Sequence, residues 1–297
     1  MPSRVDQLHR FERLGLNWNP FRTVATSEKP DVYIPDLYRT TALARDVALT
    51  DSPFTQVIGR AGHGKSTFLT AVADALDKAG VPGESHYLQP LLWTRVAVPG
   101  PDVRVLILDE AERLSWWNLS SLLRWTRRGG RLIVSSHRDL SGRFSHSALR
   151  PVTITFPVVT VEGLQEFFLT RLRWAGHVDG RFDLTTDGAD WLLAVSEGNL
   201  RVVEAVLYEI FQVAADEFVS CPGSSAGQSA PLRIDSERLN PLEEFAKRRA
   251  AFEAEGNIPF SRLRLLTQSI RTAREKIADW LSGRTSTPGP AERELPR

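Results

Sequence analysis

Cysteine is almost missing from this chain: Cys221 stands alone among 297 residues. A single thiol excludes an intrachain disulfide and a cysteine-built metal centre, and favours a reducing, intracellular setting. Long apolar runs are missing too, since none approaches the roughly 18 residues that a membrane span requires. The opening Met1-Pro2-Ser3-Arg4-Val5-Asp6 holds no hydrophobic segment resembling a secretory signal, so a cytoplasmic location and no membrane partner are expected. Net charge is equally scarce: 37 Lys and Arg against 36 Asp and Glu leave +1. No global field therefore draws the chain to nucleic acid or anionic lipid, and any such binding must come from local patches. What is present is average for a globular protein, with 42% hydrophobic and 25% charged residues, and the length suffices for one large domain or two modest ones.

Along the chain, residues 1–50 read as a leader packed onto the downstream core, with a helix-like stretch from Leu37 to Leu49. Phe54 to Ile58 is a short apolar strand running into a glycine-rich loop, after which Phe68, Leu69, Val72 and Leu76 recur at helical spacing. Ala79-Gly80-Val81-Pro82-Gly83 stops that helix, and a second strand is expected at Ser85 to Gln89. Val103 to Leu108 is nearly continuous in aliphatic residues, as a strand buried on both faces should be. A Trp- and Leu-rich helix follows from Trp116 to Arg128, then strands at Arg131 to Ser135 and Val152 to Phe156. Alternating strands and helices predict an α/β fold with a parallel sheet over residues 51–160. From Val161 the pattern is helices only, a small helical subdomain over 161–219. A flexible linker at 220–235, a C-terminal helical segment at 236–282 with a break near Gly256-Asn257-Ile258-Pro259, and a disordered tail at 283–297 complete the expected order.

The loop Gly59-Arg60-Ala61-Gly62-His63-Gly64-Lys65-Ser66 carries the clearest chemistry. Its glycines let backbone N–H groups curl around a phosphate, and the following helix offers its N-terminus to the same anion. Lys65 is the point charge for the terminal phosphates of ATP, and the Ser66 hydroxyl is placed to ligate Mg2+. Thr67, next in line, belongs to the cradle with no chemistry of its own. A strand before, a helix after and an acidic strand downstream supply the context that this motif needs.

Asp109-Glu110 ends the aliphatic strand, which is expected to adjoin the cradle. Asp109 would hold the metal through water, and Glu110 would orient and deprotonate the water attacking the terminal phosphate. Glu directly after Asp suits a hydrolase, since a kinase has no need of it; the bland alternative is a favourable charge at a helix start. Ser135 and Ser136 end the next strand, with Ser136 preferred for touching the attacking water or the terminal phosphate, against hydroxyls that merely satisfy backbone. His137-Arg138 beside them are either phosphate-sensing or solvated.

These residues resemble the AAA+ ATPases, within them the group of ExeA-like ATPases of secretion systems and TniB-like ATPases of transposition. The resemblance covers Leu14 to Ala215. It rests on Gly15-Leu16-Asn17-Trp18-Asn19-Pro20-Phe21, on Gly59 to Ser66, on Leu106 to Glu110, on the lid-like Phe167 to Gly176, and on Glu197-Gly198-Asn199-Leu200-Arg201. It implies an AAA+ core followed by a helical lid, with Arg201 as the lid's nucleotide sensor; without the resemblance, Arg201 is an ordinary exposed residue at a helix start. Asn19-Pro20-Phe21 either line the adenine pocket or form a turn with Phe21 in the core. The resemblance also implies an arginine finger reaching a neighbouring subunit of a homo-oligomer, for which Arg143 and Arg150 are the candidates. In one departure, the short Ala79 to Asp102 interval leaves the usual second sheet-covering helix shortened or absent.

The client stays open between DNA and protein. Arg124, Arg127, Arg128, Arg131, Arg138, Arg143 and Arg150 face the single acid Asp139, and the C-terminal Lys247-Arg248-Arg249, Arg262, Arg264, Arg271 and Arg274 add charge for phosphates. Those C-terminal arginines interleave with Glu243, Glu244, Glu253, Glu255 and Glu275, as on a solvated helix face. Trp116, Trp117 and Trp125 offer a protein contact or a core face.

Overall fold

The computed structural model describes residues 10–12, 14–22, 40–89, 95–144, 149–177, 180–220, 232–255 and 260–281. Cys221, most of the expected linker, the Gly256 to Pro259 break and the 283–297 tail lie outside the described residues. Two compact units emerge, one of residues 23–170 with 197–201, the other of residues 1–22, 171–196 and 202–297.

In the first unit the aliphatic run becomes β3 (Val105–Asp109), buried at every position. With β1 (Phe54–Ile58), β2 (Gly83–Tyr87), β4 (Arg131–Ser136) and β5 (Val152–Thr155) it forms a five-stranded sheet in the order β2-β3-β4-β1-β5. Every pairing is parallel. That order accounts for burial: the central strands are apolar, whereas β2 is exposed along its length and β5 nearly so because both are edges. It also corrects an expectation, because the acidic strand does not adjoin the cradle strand: β4 lies between them.

The sheet's two faces separate by the period of two along each strand. Leu106, Leu108, Leu132 and Val134 pack with Leu119, Leu122 and Leu123 of α3 (Trp116–Thr126) on one side. Val105, Ile107, Ile133 and Val57 pack on the other, with Phe68, Leu69, Val72 and Leu76 of α2 (Lys65–Lys78) and Ala44, Val47 and Ala48 of α1 (Thr40–Leu49). Each buried Leu, Ile, Val or Phe among these contributes on the order of 1.5–3 kcal/mol by leaving water. Arg131 caps α1 by donating to the carbonyls of Ala48 (2.9 Å) and Val47 (3.0 Å). Between β2 and β3 no helix occurs among the described residues, and residues 90–94 of that interval lie outside them.

The second unit takes in the C-terminal end of α4 (Val161–Trp174), then α5 (Thr186–Ser196) and most of α6 (Leu200–Ser220). It continues with α7 (Ser236–Leu239), α8 (Glu243–Glu255) and α9 (Phe260–Leu281). The expectation of helices only fails here: β6 (Phe182–Leu184) pairs in parallel with β7 (Leu232–Ile234). Both strands are three residues long, too short for alternation to show in the sequence, and β7 falls inside the stretch read as linker. The leader divides: α1 packs on the sheet as expected, whereas described residues 10–12 and 14–22 join this unit. Asn19 donates to the Tyr208 carbonyl at 2.9 Å, the Phe21 ring meets Phe211 at 5.3 Å, and Trp18 meets Trp174 edge-on at 5.3 Å. Phe21 is thus a core residue of the helical unit, 2% exposed. No helix among the described residues is long and apolar enough to cross a membrane.

Candidate active site

The sheet delivers the cradle and the acids to one end. β1 stops at Ile58, whose register partner is Ser136, and Gly59 N–H then donates to the Ser136 carbonyl at 3.2 Å. The loop turns through Gly62 and Gly64, with φ of 76° and 94°, a left-handed conformation that only glycine adopts without strain. Gly64 is the N-cap of α2 and no side chain caps it, so the first N–H groups of that helix remain for an anion. Ala61 and Ser66 are half-buried, and Thr67 follows on the first turn.

Lys65, 4% exposed, donates to the carbonyls of Gly59 (2.7 Å) and Arg60 (2.9 Å) and lies 3.0 Å from His137 Nδ1. Burial pulls the ammonium below its ordinary value, against the attraction of Glu110, Asp109 and Glu112. Cation and acids thus share one field.

Asp109 ends β3 beside the end of β4, where the Ser135 hydroxyl donates to Asp109 Oδ1. The same Ser135 oxygen accepts from Glu110 N–H at 3.2 Å. Ser136 behaves differently: its hydroxyl is spent on the Arg138 carbonyl. The hydroxyl holding the acids is therefore Ser135, one residue before the one preferred from sequence. Period-two alternation places neighbours on opposite faces of the sheet, and only the register shows which serine lies next to Asp109.

Glu110 takes φ of 65°, the left-handed region that a non-glycine residue occupies at a cost of order 1 kcal/mol. Its carboxylate meets His137 Nε2 at 3.0 Å and Arg113 at 3.2 Å. Burial alone would raise this carboxyl, but the His137 hydrogen bond and the charges of His137, Arg113 and Lys65 outweigh it and hold it low. His137 is pushed up, chiefly by that hydrogen bond. Glu112, 3.6 Å from His137 Nε2, is pushed up by burial and by repulsion from Glu110. Glu110, Glu112 and His137 also form the one group of potential metal ligands found among the described residues. Sequence leaves the role of His137 open; its position immediately after two small hydroxyl residues is the only signal there.

Residues 197–201 close over the loop within the same unit. Leu200 N–H donates to the Gly62 carbonyl at 3.1 Å, and a Cβ on Gly62 would stand 1.9 Å from Asn199 Oδ1. Arg60 pairs with Glu197 at 3.0 Å. His63 is buried, its pKa lowered chiefly by that burial, against a backbone hydrogen bond to Glu197. Arg201, exposed, has its backbone N–H held by Asn199 Oδ1 at 3.0 Å. The loop after β4 is pinned by Gln56, fully buried, which donates to Asp139 (2.7 Å) and Thr153 (2.7 Å) and accepts from Leu140 N–H (3.1 Å). Asn199 and Gln56 escape sequence reading because their roles depend on long-range partners.

Of the two finger candidates, Arg143 donates to the carbonyls of Glu112 (3.3 Å) and Leu114 (3.1 Å) and so braces the turn after the acids. Arg150 is exposed just ahead of β5.

The donor set fits a magnesium–nucleotide complex. Unspent helix N–H groups, a buried ammonium, a hydroxyl at Ser66 and a carboxylate at Asp109 are what a hard cation and its phosphates require. No family model matches the sequence, and no curated protein is similar to it. Among solved structures, the chain is similar to domain III of the Thermotoga maritima replication initiation protein DnaA, with 11% identity and a TM-score of 0.45 over 69% of this chain and 93% of that one. It is also similar to NtrX from Brucella abortus in complex with ADP, with 19% identity and a TM-score of 0.42 over 93% and 71%. A mutant of Thermotoga maritima RuvB aligns with 17% identity and a TM-score of 0.42 over 83% and 82%. On its own topology the chain is an α/β protein, a P-loop parallel sheet with flanking helices.

Proposed function

We propose that this chain is an ATPase of the AAA+ kind, in the ExeA-like and TniB-like group, which binds and hydrolyses Mg-ATP as a conformational switch. The single observation that carries the reading is the convergence of Lys65, Asp109 and Glu110 at one end of the sheet, with His137 touching both Lys65 and Glu110. The loop amides and Lys65 bind the phosphates of ATP; for the lysine this means leaving the Gly59 and Arg60 carbonyls. Ser66 and Asp109 would hold Mg2+, which when bound neutralises charge on the phosphates. Glu110, kept ionised by its neighbours, accepts the proton of the attacking water. Ser135 fixes both acids. Arg201 is the lid's contact with nucleotide, and Arg150 suits the finger role better than Arg143, whose guanidinium serves its own chain.

The working client is DNA. A protein client is the second reading, favoured by the pairing of C-terminal basic groups within the chain. Arg274 pairs with Glu209 (2.6 Å), Lys247 with Glu243 (2.5 Å) and Arg248 with Glu244 (2.7 Å). Among the described residues these pairs offset the charge of Arg274, Lys247 and Arg248. Phosphate release from ATP with magnesium, compared between the native chain and Lys65→Ala, tests the enzymatic reading. Turnover that survives in the variant overturns it.

A further inference from the structure

From Leu114 to His137 the sequence contains no Asp or Glu, yet it holds Arg124, Arg127, Arg128 and Arg131. Arg131 is turned inward onto α1; the other three are exposed. Helical periodicity places Trp117, Ser121, Arg124 and Arg128 along a single stripe of α3 and the turn that extends it. The contacts agree: Ser121 donates to the Trp117 carbonyl at 3.0 Å and accepts from Arg124 at 3.1 Å. Among the described residues Arg124 therefore has neutral partners only, in contrast to the carboxylate-paired arginines of the C-terminal helices. Four residues of helix advance about 6 Å, so Arg124 and Arg128 present two charges roughly one nucleotide step of an extended strand apart.

At the other end of the stripe stands Trp117, 82% exposed, with Trp116 at 46%. An exposed indole on the same stripe as guanidinium groups that have no carboxylate partner among the described residues is the combination that a single strand uses, stacked bases on one side and paired phosphates on the other. Asn118 bonds both the N–H (2.8 Å) and the carbonyl (2.7 Å) of Val96 and so holds that segment against α3.

We propose that the outer face of α3, from Trp117 to Arg128, is a docking surface for single-stranded nucleic acid. The proposal deepens the nucleic-acid arm of the function above by naming the surface and the form of the ligand.

The test is fluorescence anisotropy of a labelled oligothymidine with the full chain, with and without ATP, alongside quenching of Trp fluorescence. Binding is expected with a salt slope that falls by about 0.7 for each arginine removed in Arg124→Ala and Arg128→Ala. Trp117→Ala is expected to weaken binding by roughly fivefold to a hundredfold, one lost base stack, while leaving nucleotide binding unchanged. No binding to the oligomer by a preparation that binds ATP overturns this surface and leaves the ATPase reading standing. Binding indifferent to all three substitutions, or tighter binding to duplex of the same length, overturns it as well.

Discussion

Lys65 Nζ lies 3.0 Å from His137 Nδ1. Nδ1 also stands 3.3 Å from the Gly59 carbonyl, and Nε2 meets the Glu110 carboxylate at 3.0 Å. One imidazole thus ties Lys65, the proposed phosphate-binding cation, to Glu110, the proposed water-activating acid.

The tie has a pH signature. The His137 pKa is raised in the folded chain, so the group contributes stability that is fully present below its unfolded value and lost as pH rises through the folded one. The melting temperature of nucleotide-free protein minus that of His137→Ala is therefore expected to grow as the pH falls from about 8 to about 6. His63, whose pKa is lowered, works in the opposite sense but is common to both proteins and cancels. A difference independent of pH contradicts the assignment.

Ser135 and Ser136 are expected to part company. Ser135→Ala removes the hydrogen bond to Asp109 Oδ1, worth about 1–3 kcal/mol, so the rate constant for hydrolysis should fall roughly tenfold to a hundredfold. Ser136→Ala touches only a backbone carbonyl and should fall far less. Steady-state kinetics with both variants decide it, and the reverse ranking would restore the sequence-based preference for Ser136.

Gly62→Ala should displace residues 197–201 from the loop, since its new methyl would sit 1.9 Å from Asn199 Oδ1. Nucleotide affinity is expected to drop at least tenfold. Adding Asn199→Gly should recover part of the loss but not all, because φ of 76° at residue 62 still costs a side-chain-bearing residue about 1–2 kcal/mol. No recovery in the double variant, measured by titration with a fluorescent nucleotide, counts against contact between this strip and the loop.

Arg143→Ala is expected to lower thermal stability by about 1–3 kcal/mol, the cost of orphaning partly buried carbonyls, whereas Arg150→Ala leaves stability within about 0.5 kcal/mol. If Arg150 is the finger, its variant loses turnover while still binding ATP. Calorimetry paired with phosphate release separates the two arginines.

Much of this architecture was legible in the sequence because its signals are local. The glycine spacing of the loop, the aliphatic run of β3 and the Asp-Glu pair that ends it identify themselves within a dozen residues. The expected α/β core with a parallel sheet is the observed one. What the sequence hid is long-range: that β4 separates the acids from the cradle strand, that Ser135 rather than Ser136 faces them, and that Arg143 is consumed by carbonyls of the turn at 112–114. Strands β6 and β7 escaped because three residues cannot display a period, and the leader's attachment to α6 depends on a ring contact between residues far apart in the chain.

The central claim is that Glu110 activates water for a nucleotide held by the Lys65 loop. Single-turnover hydrolysis of magnesium ATP by Glu110→Gln, with nucleotide affinity measured on the same preparation, tests it most directly. The account predicts ATP bound with near-native affinity and retained uncleaved; unchanged cleavage, or no affinity for adenine nucleotides in the native chain, contradicts it.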